Sequence, residues 1–442
     1  VLGSLTPSCP WLSPEMGQNN VEISDTPHPI TPTGWVEYEA FMRDALQTVT
    51  TAASDAGARI LMTGLSFFAK PEDIDPDRVL STYKPRYRDF WSAFRRLQRD
   101  DGSRTWAFQR HPWEAPVTVV DDVSIGALSL ITSQQTNICV RNVSGGNSAW
   151  VYNLAQALCA PLVVIEANSG VFPAIGRDRK LHHVHTCSRP DIWKAAIAGR
   201  VDDAVRLGVG YLDEFTPRRA ARAYTEMIEQ SIARHPVFWQ EPEGTGDLEL
   251  LESYVSTIWH MVRLRAKKVP VGDGSFRRIV LVETRWACTQ PTLADTLALT
   301  ALELGVFYGC FHRGLHYWVL VPRWADANTN AREAINDGWN ATFQWRDQKQ
   351  VPATEVCREL LDLAAFGLRE QGLDPTILEP MYDRLTRKTN GGAWTARALA
   401  YMNSRNVPAD QQADILSEAL YQQQCGNRPV AYWENPEDLL QV

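Results

Sequence analysis

The run Ile279-Val280-Leu281-Val282-Glu283-Thr284-Arg285 puts a glutamate and an arginine inside an apolar β-pattern. Side chains alternate along a strand, so over residues 278–286 Ile279, Leu281, Glu283 and Arg285 share one face. A carboxylate on a buried strand face must be paired or must bind a cation. The chain must therefore build a sheet that carries charge where sheets normally carry Val or Leu. Two other segments bear the same load. Residues 127–140 read as a long strand with Gln135, Asn137 and Cys139 on one face and Thr136, Ile138 and Val140 on the other. Residues 14–25 read as a strand leaving a loop, with Asn20, Glu22 and Ser24 opposite Val21 and Ile23.

Helical periodicity fills much of the rest. One helix is expected from Gly34 to Ala56, capped by Thr33 and ended by Gly57, followed by a short buried strand, Arg59–Thr63. Residues 86–100 read as helical and 101–122 as polar and irregular. A helix starts at Ser148 after a Gly-rich turn and is kinked or ended by Pro161. Residues 168–189 read as a loop, and residues 217–234 and 248–262 as helices. From Pro291 onward the pattern is mostly helical, with Thr292, Asp410 and Asn435 as capping residues. Strands mixed with non-alternating helices argue for an α+β fold. No repeat or long linker forces a domain boundary.

Composition narrows the function classes. Lys and Arg number 44 and Asp and Glu 52, a formal charge of −8, which disfavours a nucleic-acid backbone binder. No run reaches the ~20 consecutive apolar residues of a membrane span. Residues 157–167 form one of the longest apolar stretches and are interrupted by Pro161 and Glu166. Eight scattered cysteines without a CxxC pattern fit a reducing cytoplasm better than a disulfide scaffold. The phosphate-loop, Rossmann and nucleophile-elbow signatures are absent. His182, His183 and His185 read as a solvated loop, since no zinc-like spacing accompanies them.

The carboxylates and arginines carry more. Glu15, Glu22 and Glu283 are candidate oxygen ligands for Mg²⁺ (or Mn²⁺), which also holds substrate phosphates. The bland alternative for Glu283 is an ion pair with arginine. Arg189, Arg206, Arg263 and Arg285 lie in the distinctive contexts "SRPDIW", "VRLG", "STIWHMVRLR" and "VETRW". Several arginines beside carboxylates suit the phosphates of ATP and a developing acyl phosphate.

Those segments also carry a resemblance. "PEMGQNNVEIS", "LMTGLSFFAKP", "KPRYRDF", "TSQQTNICV", "VVIEANSGVF", "SRPDIW", "STIWHMVRLR" and "VETRWACTQPTLADTLAL" occur in the order seen in glutamate–cysteine ligase family 2. The resemblance covers roughly residues 10–400. It implies a glutamine synthetase-like fold: a curved, largely antiparallel half-barrel sheet with outer helices. It implies one catalytic ligase domain over 1–442, mostly helical from about 291, with its first strand upstream of residue 1. The implied activity is ATP-dependent joining of an amino-acid carboxylate to an amine through an acyl phosphate. Carried over by position, Glu15, Glu22 and Glu283 resemble metal ligands. Arg189, Arg206, Arg263 and Arg285 resemble ATP-phosphate contacts, with Arg285, Arg263 and Asn137 catalytic. Gln135, Cys139 and Arg189 fall at substrate-binding positions.

Two departures bear on the substrates. Cys139 and Cys288 stand where the family's Gln-x-Asn-x-Asp and Glu-x-Arg-x-x-Asp motifs carry aspartate. Fewer negative charges there point away from glutamate and cysteine themselves and toward a specialised amide ligase, as in natural-product assembly. The alternatives are a family member that binds without turnover and a kinase that makes an acyl phosphate for another enzyme.

Overall fold

The computed structural model describes residues 9–79, 105–140, 145–197, 205–234, 259–270 and 275–440, with short gaps inside the first four spans. The architecture is mixed helix and small, mainly antiparallel sheets, as an α+β reading requires. Strands β1 (Leu12–Pro14) and β2 (Val21–Ile23) pair antiparallel, with Ser13 opposite Glu22. Strands β3 (Thr105–Phe108) and β4 (Val117–Asp121) form an antiparallel pair inside the stretch that reads as irregular.

The main described sheet has three strands in the order β5 (Thr136–Val140), β9 (Phe276–Thr284), β8 (Val262–Pro270), all antiparallel. Between β5 and β8 in sequence lie β6 (Val205–Arg206) and β7 (Trp259–His260), a short parallel pair. Strands β10 (Thr342–Trp345) and β11 (Lys349–Pro352) form a hairpin that interrupts the helical C-terminal part. The described residues thus show five small sheets, none wider than three strands.

Several local expectations change. The first long helix is Pro32–Asp55, and its N-cap is Thr31, whose side chain accepts from Gly34 N. Proline at the first helical position explains the earlier start. Residues 59–63 form no strand, and residues 125–130 form a 3₁₀ helix, so the strand before the Gly-rich turn begins only at Thr136. Residues 235–258 lie outside the described structure, as do residues 86–100. The end of the expected 248–262 helix is instead β7 and the start of β8. In that segment Val262, Arg263, Leu264 and Arg265 alternate with period 2, and pairing with β9 decides in favour of the strand. Helix Ala409–Cys425 follows Pro408, so Asp410 lies in its first turn and is not its cap.

Helix Gly145–Glu166 does not end at Pro161, which lies inside it, and it packs against β8 and β9. This helix and Leu293–His312 hold stretches apolar and long enough to cross a membrane by length and composition. Yet 94% and 78% of those stretches are buried inside the protein. They are core helices, packed with Val262, Val282 and the helix Ala353–Glu370 in one apolar cluster. Helix Leu293–His312 opens with Thr292, which accepts from Asp295 N as the sequence predicts. It meets Ala353–Glu370 closely through Gly305, Gly309 and Gly367. A second cluster joins helices Gly391–Ser404 and Ala409–Cys425 to Phe67, Val171 and Leu181.

Candidate active site

Register fixes the site. Glu283 on central β9 stands opposite Asn137 on β5 and Arg263 on β8. Directly opposed residues point to the same face, so these three form one row across the sheet. One step along, Leu281 stands between Cys139 and Arg265. The other face is apolar: Val282 opposes Ile138 and Leu264 and packs on the core. Gln135, Asn137 and Cys139 are exposed, so their edge of the polar face is open.

Glu283 itself is fully buried, because arginines cover it. It pairs closely with Arg263 Nε, and lies 2.9 Å from Arg265 Nη1 and 3.6 Å from Arg285 Nε. Burial pushes its carboxyl up. The charges of Arg263, Arg285 and Arg265 outweigh that and hold it below the usual carboxylate range. Arg285 is buried in turn; burial and the Arg263 charge push its guanidinium well down, and Glu283 pulls it back. A guanidinium nonetheless keeps its proton.

Arg189 comes from a separate element. It begins the helix Arg189–Ile197. Its Nη1 donates to the carbonyls of Arg285 at 2.9 Å and Trp286 at 3.2 Å. Its backbone N–H donates to Ser169 Oγ at 3.1 Å. Three arginines thus gather around a single carboxylate, Glu283, with Arg189 beside Arg285, leaving that corner of the sheet strongly cationic. Such a surplus calls for a polyanion, and the guanidinium fork matches phosphate oxygens.

The structure brings together Asn137, Glu283, Arg263, Arg285 and Arg189, with Cys139 beside them on β5 and Gln135 just before that strand. It adds Arg265, which is half-exposed and which the sequence reading omits. The Arg263-Leu264-Arg265 alternation is its signal, but that signal is legible only once the segment is known to be a strand. Arg206 pairs its backbone with His260, next to the start of β8. Glu22 accepts a hydrogen bond from Ser13 Oγ at 2.7 Å on the separate β1–β2 hairpin, and Glu15 follows β1 half-buried. Among the described residues, no three His, Cys, Asp or Glu side chains gather as a metal ion requires. The described carboxylates alone therefore make no ready divalent-cation cage, whereas the arginines do fit an anion. The histidine loop also differs from a solvated one: His183 is exposed, but His185 is buried and bonded through Nδ1 to Asp191.

A cationic sheet corner of this kind, on strands whose motifs follow a known order, fits the comparison with protein families. The sequence matches the profile of glutamate–cysteine ligase family 2 over residues 12–422. The chain belongs to that family. No curated protein matches it. As a glutamate–cysteine ligase family 2 member it is, broadly, an ATP-dependent carboxylate–amine ligase.

Proposed function

We propose that this family 2 ligase joins a carboxylate to an amine through an acyl phosphate made from ATP. The observation that carries the reading is the set of three arginines around Glu283, with Arg189 against the Arg285 and Trp286 carbonyls, on an open sheet face. In the first step a substrate carboxylate oxygen attacks the γ-phosphorus of ATP, and ADP leaves. Negative charge spreads over the transferring phosphoryl oxygens, and preorganised guanidiniums stabilise it without reorganising. Arg265 is the outermost of the three and the one free to turn from Glu283 to a phosphate. Glu283 holds Arg263 and Arg285 in place meanwhile. In the second step the amine attacks the acyl carbon, loses a proton, and phosphate departs. Mg²⁺ or Mn²⁺ is the counter-cation we expect with ATP.

Asn137 and Cys139 on the edge strand, and Gln135 just before it, lie beside this corner and are placed to touch the acid or amine substrate. A thiol at Cys139 brings no negative charge to meet an ammonium group. We therefore favour substrates other than glutamate and cysteine, as in a specialised biosynthetic amide ligase. The test is a screen of ADP release over carboxylate–amine pairs, with mass spectrometry of any product. Amine-dependent ADP release that disappears in Glu283→Gln supports the assignment. Unchanged turnover in a folded Glu283→Gln protein sinks it. ADP release without any amine identifies the kinase alternative instead.

A further inference from the structure

Two buried thiols lie against each other at the arginine cluster. The Cys187 and Cys288 sulfurs are 3.7 Å apart across 101 residues of sequence, and neither cysteine is in a disulfide. Ser169 Oγ lies 3.5 Å from the first sulfur and 3.4 Å from the second. Each thiol is tied to a site arginine: Cys187 is two residues before Arg189 and Cys288 three residues after Arg285. The Arg189 guanidinium bridges the same two segments through the Arg285 and Trp286 carbonyls.

We propose that Cys187 and Cys288 form a reversible disulfide when exposed to hydrogen peroxide, and that this bond tethers the Arg189 and Arg285 segments and slows ligation. Peroxide is uncharged and close to water in size, so it suits sulfurs that bulkier oxidants do not reach. The attacking sulfur is Cys288. The hydrogen bond from Cys187, aided by the Arg189 charge, outweighs burial and brings its thiol down to about 6. That hydrogen bond and burial push the Cys187 thiol up.

The Cys288 thiolate attacks one peroxide oxygen, the O–O bond breaks, and a sulfenic acid and hydroxide result. The Cys187 sulfur then attacks the Cys288 sulfur and expels hydroxide, which leaves as water with the Cys187 proton. In total two thiols lose two electrons and two protons, and peroxide becomes two waters. The sulfurs must close from 3.7 Å to the ~2.05 Å of a disulfide. That draws the two segments together by an amount that matters, since ~1 Å of misplacement can cost ~10²-fold in rate.

The activity arm of the test rests on the ligase reading, and the chemical arm does not. The full chain is treated with a modest excess of hydrogen peroxide, alkylated under denaturing conditions and mapped by peptide mass spectrometry. The expected result is a linked Cys187–Cys288 peptide that dithiothreitol abolishes. Amine-dependent ADP release is expected to fall at least about tenfold with it and to return on reduction. Cys187→Ser keeps the basal activity, forms no linked peptide and loses the recovery on reduction. Recovery of both cysteines as thiols, or as unlinked sulfinic acids, overturns the proposal. A linked peptide with unchanged ADP release overturns its regulatory half. Absence of ADP release from the reduced protein, with the linked peptide present, counts against the ligase reading and leaves the disulfide standing.

Discussion

Glu303→Gln isolates a charge that the fold keeps behind the sheet. Glu303 is buried in the helix Leu293–His312 and accepts from Thr284 Oγ1 at 3.4 Å. Thr284 is the strand neighbour of Glu283 and points to the opposite side. Burial pushes the Glu303 carboxyl from an ordinary 4.5 up to about 7, against the hydrogen bonds from Thr136, Thr284 and Trp286. The folded value lies above the unfolded one. Its stabilising protonation is therefore fully present below about 4.5 and is lost as pH rises through about 7. A shift of that size corresponds to at most roughly 3 kcal/mol lost on the alkaline side. The glutamine variant cannot ionise, so it removes that loss while keeping an acceptor for Thr284. The assay is urea unfolding of both proteins at several pH values between about 5 and 9, with midpoints and slopes compared. Wild type should weaken across this range and the variant much less, so that at about pH 9 the variant is the more stable by roughly 1–3 kcal/mol. Parallel pH profiles, or a variant weaker by the same amount at every pH, would refute the argument. Glu166, also buried and pushed well up by burial and by the Glu303 charge, adds to the same slope. A Glu166→Gln protein should flatten it too.

The arginines around Glu283 should separate by exposure. Arg263→Ala leaves a buried carboxylate short of its nearest partner and should cost about 3–5 kcal/mol in denaturant unfolding. Arg265→Ala removes a half-exposed partner and should cost under about 1 kcal/mol, yet lower amine-dependent ADP release by at least about tenfold. Equal losses of stability would contradict this division. Gly367→Ala puts a methyl group 2.0 Å from the Gly305 carbonyl oxygen and 2.4 Å from the Gly309 nitrogen, so helix spacing must change. A loss of about 1–3 kcal/mol or more is expected, and a neutral thermal midpoint would show the helices part easily. Arg384→Leu strips a fully buried Asp295 of its 2.8 Å ion pair, and it also removes donors to Ile165 O and Gln290 Oε1. The expected cost is about 3–5 kcal/mol, read by denaturant midpoint.

What the sequence determined by itself is what depends on neighbours in the chain. Alternation put Asn137 and Cys139 on one face, and Thr292 marked a helix start through a hydrogen bond spanning three residues. The order of the motifs placed the chain in its family. Strand β8 was illegible because an apolar run with Trp259, Met261 and Val262 serves a helix or a strand equally, and only pairing with β9 removes the choice. With β8 unread, Arg265 could not be recognised. The partners of Glu283 were equally hidden: a carboxylate on a strand must be satisfied, but whether by cation or arginine depends on register across β5, β9 and β8. The Cys187–Cys288 contact spans 101 residues, and no local pattern encodes a meeting at that distance. Local propensity acts over a few residues, while charge pairing and thiol proximity act over ångströms of space. The second set belongs to the tertiary structure alone.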